Sequence, residues 1–296
     1  MNIFKRIQPD FNAFARNISY KNILVEKLGN VTAIGINRPE KRNCVDEETA
    51  EELKEAIKSF EDDADAFAGV LHGVGGNFCA GYDLKSLTDV GRVKSILNKE
   101  TGFMGPTMRY IKKPMIASIS GYAVAGGLEL ALMCDMRIVE ETAVMGVFCR
   151  RFGVPLIDGG TVRLQAIVGL SRALDYTLTG RAISAKEALD CGLANRITDV
   201  GTGLGQAINL AGSLVKFPQS CLLADRASTY NAAFASSYTD LLKFERENGR
   251  KVDLALLTVG AGKFARGVGR HGKAHHLTEI SDIPDWEQEE NVKMKK

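Results

Sequence analysis

The chain has 296 residues, of which 45% are hydrophobic and 25% charged, proportions typical of an ordinary globular protein. Its 38 basic and 36 acidic side chains give a net charge of +2, which argues against a general attraction to nucleic acid or to anionic membranes. No apolar run approaches the ~20 residues that a membrane-spanning helix needs, and no concentrated basic stripe favours RNA binding.

The cysteines and histidines predict no metal site. The six cysteines are scattered without a Cys-x-x-Cys pair, and none of the four histidines stands at metal-site spacing from a cysteine. Reduced thiols in an intracellular compartment are therefore expected.

The first 20 residues, 1–20, leave two interpretations open. The segment carries three basic residues against one acid, Asp10, and its apolar residues can share a helical face that Pro9 interrupts. These features are typical of a mitochondrial presequence, which would place the protein in the mitochondrial matrix. A disordered start or a short docking helix is the other interpretation, and the location would then be the cytoplasm.

Strands and an amphipathic helix are predicted in the first part of the chain. Residues 31–37 predict a strand. After a polar loop, Asp46 offers a helix N-cap, and apolar residues recur at helical spacing as far as Phe60. A short second strand at 69–72 leads into a segment that is rich in glycine.

An apolar run at 115–119 predicts a buried strand, and the stretch after it is chemically unusual. Small residues there give way to an apolar segment that is long enough for a short helix. Gly126 and Gly127 open this segment, and the first N–H groups of a helix lack internal partners, so they can stabilise a negative charge on oxygen. Glu129 is the anomaly, because a buried carboxylate is costly unless it is paired or used.

Later residues alternate between strand and helix and then become helical. A strand at 137–140 precedes an irregular segment at 147–158. Ser184 and Glu187 form a capping box for a short helix that Gly192 ends. Further helices are predicted at 159–168, 206–216, 219–235, 238–248 and 252–264. This order favours a three-layer α/β body with a helical extension.

Two glycine-rich elements, each placed after a strand, carry a resemblance to a known family. They are Phe78-Cys-Ala-Gly-Tyr-Asp83 and Ala123-Val-Ala-Gly-Gly-Leu-Glu129. Either alone is common turn material, but the pair in this order and separation resembles the enoyl-CoA hydratase/isomerase (crotonase) superfamily over roughly residues 22–275. Other matching pieces are Arg38-Pro39, Lys113-Pro114, Met133-Cys134-Asp135, Thr179-Gly180-Arg181 and Gly192-Leu193.

The resemblance implies an α/β fold, a crotonase-like spiral of ββα repeats with a C-terminal helical region that mediates trimerisation. The chain then divides into a core (21–204), the helical region (205–276) and a tail (277–296) that is expected to be disordered. A homo-oligomer is expected, either a homotrimer or a hexamer made of two trimers.

The resemblance also implies a substrate, an acyl thioester of coenzyme A. Its carbonyl oxygen would lie between the backbone N–H groups of Tyr82 and Gly126, which form an oxyanion hole. Such fixed donors stabilise the oxyanion of a thioester enolate. Coenzyme A is part of the substrate and the thioester supplies its own activation, so no cofactor is expected.

Glu129 matches one of the two glutamates that hydratases of this family use, whereas the second glutamate is replaced. Cys149 stands in its place, and a neutral thiol is a poor general acid–base. Asp158 is a candidate replacement, one residue beyond the position at which isomerase-like members carry a catalytic carboxylate. Asp158 also suits the N-cap of the next helix, and both roles stay open.

Several other residues are candidates for binding the acyl-CoA. Arg150 and Arg151 would meet a negatively charged acyl terminus or the CoA phosphates, or else pair with acids at a subunit interface. The remaining candidates are Asn43, Ala80, Asp83, Lys85, Gly127 and Cys149.

The prediction is an enzyme, a lyase of fatty acid metabolism that hydrates a 2-enoyl-CoA to a 3-hydroxyacyl-CoA. Glu129 would be the acid–base and Asp158 the second carboxylate. The alternatives are an enoyl-CoA isomerase or an acyl-CoA decarboxylase that uses one carboxylate. A further alternative, from a different class, is a non-catalytic acyl-CoA binder.

Overall fold

The computed structural model of the chain describes residues 20–88, 94, 102–235, 237–252, 259 and 261–262. The N-terminal segment apart from Tyr20, most of the predicted helix at 252–264 and the predicted tail lie outside these residues. The described residues alternate between strand and helix, which confirms the predicted α/β class.

Nine strands are described, and they form two sheets. They are β1 (Ile23–Leu28), β2 (Val31–Ile36), β3 (Ala68–Gly73), β4 (Met115–Ile119), β5 (Tyr122–Val124), β6 (Met136–Glu140), β7 (Val144–Gly146), β8 (Ile183–Ser184) and β9 (Arg196–Thr198). The main sheet has the order β1-β2-β3-β4-β6-β9, in which only β1 and β2 pair antiparallel. β2 and β4 are buried along their whole length, as expected for strands that are covered on both faces.

The smaller sheet has the order β5-β7-β8 and begins directly after β4. Residues 120–121 link β4 to β5, so the chain passes from one sheet to the other within two residues. The sequence pattern did not predict β5. An isolated bridge between Cys79 and Ala123 then joins the first glycine-rich element to this strand.

Eight helices of the α type have bounds in the described chain. They are α1 (Glu47–Asp62), α2 (Gly126–Met133), α3 (Gly160–Val168), α4 (Leu170–Thr179), α5 (Ala185–Asp190), α6 (Gly203–Val215), α7 (Gln219–Phe234) and α8 (Tyr238–Gly249). Two predicted caps are confirmed, because Asp46 Oδ1 accepts from the Thr49 N–H (3.0 Å) and Ser184 Oγ from the Glu187 N–H (3.2 Å). None of the described helices is long and apolar enough to cross a bilayer.

The main sheet buries its two faces against different partners. α6 packs on β2, β3, β4 and β6, where its Ala207 and Leu210 meet Ile116 in one apolar cluster. The neighbours of Ile116 along β4, Met115 and Ala117, point the other way and join the larger core with α1 and α2. This alternation follows from the two-residue period of a strand.

α7 is fixed to the core by a charged and aromatic cluster. Arg226 Nε donates to Asp135 Oδ1 (2.9 Å), and the Tyr230 hydroxyl donates to the same oxygen (2.7 Å). Arg226 also stacks against the rings of Tyr110 and Tyr230, at 4.8 and 5.0 Å from their centroids. These contacts hold α7 against Asp135 and against Tyr110 in the segment that precedes β4.

Asn43 joins the loop before α1 to the glycine-rich loop after β3. Its side chain is fully buried, with Oδ1 accepting from the Arg38 N–H (2.9 Å). Its Nδ2 donates to the carbonyls of Val74 (2.9 Å) and Asn77 (2.6 Å). The side chain thus holds the two loops together, and its amide oxygen and nitrogen are both engaged by backbone groups.

We expect Asn43→Asp to lower the free energy of unfolding by about 3 kcal/mol or more, because a carboxylate cannot donate to the two buried carbonyls. The matched control is Asn30→Asp, whose amide donates to the Asp65 carbonyl (2.7 Å) at an exposed site. Urea unfolding of both variants measures the difference. Equal losses in the two variants would contradict the organising role of Asn43.

Candidate active site

A cavity of about 340 Å³ lies between the two glycine-rich elements and the segment that leads into α3. The residues that line it are Ala80, Tyr82, Leu84, Leu87, Phe103, Met104, Ala125, Gly126, Glu129, Phe148, Cys149, Phe152, Gly153, Val154, Pro155, Ile157 and Asp158. Two other cavities, of about 400 and 450 Å³, flank α7 and are lined by none of the predicted site residues. Volume therefore does not identify which cavity is the candidate active site, whereas the side chains that line the first cavity do.

Backbone hydrogen bonds hold the two glycine-rich elements together. The Cys79 N–H donates to the Tyr122 carbonyl (2.8 Å), and the Val124 N–H donates back to the Cys79 carbonyl (3.1 Å). This pairing brings Tyr82 and Gly126, the two residues that the resemblance implied for the oxyanion hole, to the same cavity.

Ala125 introduces backbone strain directly before α2. Its φ of +54° lies in the left-handed region, which is unfavourable for a residue with a side chain. Its N–H donates to the Gly146 carbonyl (2.9 Å), which ties this residue to β7. Gly126 follows as the first residue of α2, so its N–H has no acceptor within the helix.

Glu129 is buried at the wall of the cavity and caps α3 from a distance. Its Oε1 accepts from the N–H groups of Asp158 and Gly160, both at 2.9 Å. Gly160 is the first residue of α3, so the carboxylate occupies the positive end of that helix. The N-cap residue itself is Gly159, with no side-chain hydrogen bond, so the predicted N-cap role of Asp158 is wrong.

The pKa of Glu129 is raised to about 7. Burial is the main cause and the nearby charge of Asp158 adds to it, whereas the two N–H groups and Arg163 act in the opposite direction. A carboxyl group with this pKa exchanges protons readily at neutral pH, which is the property a general acid–base needs.

Asp158 also lines the cavity, but its carboxylate is held by the segment before β4. Oδ1 accepts from the Met104 N–H (3.0 Å) and from the Thr107 hydroxyl. Burial raises the pKa of Asp158, and these hydrogen bonds oppose the rise. The side chain therefore has a fixed structural partner on one oxygen.

Cys149 lies beside Glu129 in the wall, in the 3₁₀ turn Phe148–Phe152. Burial raises the pKa of its thiol, and the charge of Glu129 adds to the rise. The group is therefore a neutral thiol at pH 7, so it cannot do the work of a carboxylate.

The remaining predicted binding residues divide into two groups. Ala80 lines the cavity, whereas Asn43 and Gly127 are buried in the loop packing and Lys85 is exposed. Asp83 caps the short turn Leu84–Leu87 by accepting from the Lys85 N–H (3.1 Å).

Arg150 and Arg151 do not line the cavity. Arg150 Nε donates to the Thr177 carbonyl (3.1 Å), and Arg151 Nη2 donates to the Gly180 carbonyl (3.0 Å). Both carbonyls lie at the C-terminal end of α4, where cations are favourable. The structure therefore does not bring these arginines to an acyl group in the cavity.

The sequence did not predict that Phe103 and Met104 lie at the site. They reach the cavity from the segment that the Asp158 carboxylate holds, and the Phe103 ring meets the Tyr82 ring edge-on at 5.0 Å. No local motif marks them, because their position depends on a contact 54 residues away along the chain.

The two glycine-rich elements and Glu129 fall inside a family match. The family model described as enoyl-CoA hydratase/isomerase matches residues 26–253. The chain belongs to the enoyl-CoA hydratase/isomerase family. A probable enoyl-CoA hydratase of Rhizobium meliloti is 35% identical over 231 residues, 77% of this chain and 88% of the relative. The mitochondrial enoyl-CoA hydratase of Pongo abelii is 34% identical over 243 residues, 81% and 83% of the two chains.

Solved structures of enoyl-CoA hydratase/isomerase proteins confirm the crotonase fold. The crystal structure of enoyl-CoA hydratase from Mycobacterium tuberculosis H37Rv matches with a TM-score of 0.75 at 29% identity. It covers 83% of this chain and 96% of its own. The fold predicted from the glycine-rich pair is therefore the observed one.

The raised pKa of Glu129 makes the stability depend on pH in a specific window. Between the ordinary value of 4.5 and about 7, the folded protein retains a proton that the unfolded chain releases. The free energy of unfolding therefore falls as the pH rises through this window, by up to ~3 kcal/mol from this group.

We expect Glu129→Gln to remove this fall in stability, because an amide does not titrate in this pH range. The amide oxygen can still accept the hydrogen bonds from the two N–H groups. Urea unfolding of both proteins from pH 4.5 to 8, at one protein concentration, measures the difference. Parallel stability curves would show that Glu129 has an ordinary pKa.

Proposed function

We propose that the protein catalyses the hydration of a 2-enoyl-CoA to a 3-hydroxyacyl-CoA. The observation that carries the proposal is the Glu129 carboxyl, which has a pKa of about 7 and lies in the wall of a cavity that both glycine-rich elements share. The relatives named as enoyl-CoA hydratases support the same reaction.

The thioester carbonyl would lie against the backbone N–H groups of Tyr82 and Gly126. Water adds to C3, and Glu129 takes its proton as the C–O bond forms, which leaves an enolate whose oxygen the two N–H groups stabilise. Glu129 then returns the proton to C2. One carboxylate with a pKa near 7 serves both steps, and the thioester itself supplies the activation, so the proposal includes no cofactor.

The proposed acyl group is apolar. The described residues of the cavity wall include no lysine, arginine or histidine, and most of them are aliphatic or aromatic. A carboxylate at the end of the acyl chain would be desolvated there without a partner, which is costly. Arg150 and Arg151, which directly follow Cys149 in sequence, are bonded to the end of α4.

We further propose that the protein forms trimers or pairs of trimers. Leu170, Leu174 and Leu178 are exposed on α4 at a spacing of four residues, which places them on one helical face. Burial of such a stripe against another copy would remove apolar surface from water. Light scattering of the full chain in solution measures the assembly.

A location in the mitochondrial matrix is part of the proposal. Relatives from Pongo abelii and Dictyostelium discoideum are named as mitochondrial, whereas the relative from Rhizobium meliloti is bacterial. The proposal therefore depends on the basic segment 1–20, and fusing that segment to a fluorescent reporter tests it.

Isomerisation of the enoyl double bond is the second candidate function. Asp158 is engaged by Met104 and Thr107, and Cys149 is neutral, so Glu129 is the carboxylate best placed to move a proton. Moving one proton between two carbons needs one such group, whereas many hydratases of this family use two.

We expect purified protein to hydrate crotonyl-CoA and Glu129→Gln to lower kcat by about 10²–10⁴, the usual contribution of a general acid–base. Glu140→Gln is a closely matched control, because Glu140 is also buried and its Oε1 accepts from the N–H groups of Gly201 (2.9 Å) and Gly203 (3.2 Å) at the start of α6. Its rate should stay within a few-fold of the parent.

The loss of the conjugated enoyl absorbance reports hydration, and 3-enoyl-CoA is assayed in parallel. Rates of parent and Glu129→Gln protein that are equally near background would refute the hydratase proposal. Turnover of 3-enoyl-CoA alone would favour the isomerase, and thioester binding without any turnover would favour a binder.

A further inference from the structure

Arg163 connects the two segments that surround the Glu129 carboxyl. It lies in the first turn of α3, and its Nη1 donates to the Asp158 carbonyl (2.9 Å). Its Nη2 donates to the Thr107 carbonyl, on the segment before β4. One guanidinium thus links the turn whose N–H groups donate to Glu129 with the segment that contains Met104.

Asp158 makes the same connection through three different groups. Its N–H donates to Glu129 Oε1 (2.9 Å) and its carbonyl accepts from Arg163. Its carboxylate accepts from the Met104 N–H (3.0 Å) and the Thr107 hydroxyl. The N–H, the carbonyl and one carboxylate oxygen of this buried residue therefore each have a defined partner.

Three glycines leave the space that this arrangement needs. A Cβ at Gly160 would lie 2.7 Å from Glu129 Oε1, and one at Gly159 would lie 2.4 Å from Arg163 Nη1. A Cβ at Gly102 would lie 2.0 Å from Asp158 Oδ1. A side chain at any of these three positions would therefore displace Glu129, Arg163 or Asp158 from the contacts described above.

We propose that Asp158 and Arg163 are positioning residues, which hold the Asp158–Gly160 turn so that its two N–H groups fix Glu129 at the cavity wall. Neither side chain exchanges a proton with the substrate. This inference rests on the proposed role of Glu129 as the acid–base, and it assigns Asp158 a different role from that of a second catalytic carboxylate.

The charges around Glu129 provide a measurement that distinguishes positioning from simple structural support, namely the titration of Glu129. Among the described residues, the titratable or charged side chains that act on it or respond to it are Asp158, Arg163 and Cys149. The negative charge of Asp158 raises the pKa of Glu129, and the positive charge of Arg163 lowers it. Removal of each charge should therefore move the titration of Glu129 in opposite directions.

The test compares Arg163→Gln, Arg163→Lys and Asp158→Asn with the parent. We expect Arg163→Gln to lower kcat by about 10–10², the loss that follows a displaced catalytic group, with KM changed less than kcat. Arg163→Lys should recover part of the loss, because an ammonium can reach one of the two carbonyls. Asp158→Asn should lower kcat far less than Glu129→Gln does, since the amide oxygen can accept the same two hydrogen bonds.

The pH profiles should separate the variants. The acid limb of kcat moves to higher pH in Arg163→Gln and to lower pH in Asp158→Asn. The control is Arg109→Gln, which lies on the same segment as Thr107 and loses an ion pair with Glu61 (2.6 Å). It should lower stability without moving the limb.

Loss of activity in Asp158→Asn to the level of Glu129→Gln would overturn the inference, because Asp158 would then take part in proton transfer. Unchanged kcat and pH limb in Arg163→Gln would overturn it as well. If Arg163→Gln does not fold, Arg163→Lys and Asp158→Asn still decide the question.

A second measurement separates this inference from the proposed reaction. The infrared band of the protonated Glu129 carboxyl, assigned by its absence in Glu129→Gln, titrates without any substrate. Opposite shifts of its midpoint in Arg163→Gln and Asp158→Asn support the positioning role even if crotonyl-CoA is not hydrated. Coincident titrations would refute that role even in an active hydratase.

Discussion

The burial of one carboxylate at the start of α3 is the constraint on which the site depends. Glu129 leaves water to line the cavity, which disfavours its charge, and it recovers part of that cost from two N–H groups of the Asp158–Gly160 turn. The same contacts satisfy donors at the helix start that would otherwise be unpaired. The helix and the catalytic candidate therefore stabilise each other.

The balance between burial and hydrogen bonding explains why the pKa of Glu129 is about 7 instead of far higher. Burial and the charge of Asp158 raise the pKa, and without the N–H groups and Arg163 it would be higher still. The charges and N–H groups that act on Glu129 come from two adjacent segments, the turn before α3 and the first turn of α3. A shift in either segment would change the proton affinity of the carboxyl group.

Local signals predicted the parts of the structure that depend on neighbouring residues. Asp46 and Ser184 cap their helices as expected. The placement of Tyr82, Gly126 and Glu129 at one cavity was instead expected from the family resemblance of the glycine-rich pair. The role of Asp158 could not be read this way, because its partners lie 51 and 54 residues away along the chain. The directions of Arg150 and Arg151 were hidden for a similar reason, since the carbonyls at the end of α4 compete for them.

Cys149 affects the chemistry of the cavity because its thiol is neutral at a position where a glutamate would carry a negative charge. A glutamate at this position would place a further carboxylate near Glu129 and Asp158, and like charges in a buried site raise one another's pKa. The neutral thiol avoids this repulsion, so Glu129 can ionise near pH 7 while Asp158 stands beside it. The mechanism that we propose for this site is therefore a single carboxylate that both accepts and returns the proton, because its two protonation states are nearly equal in energy.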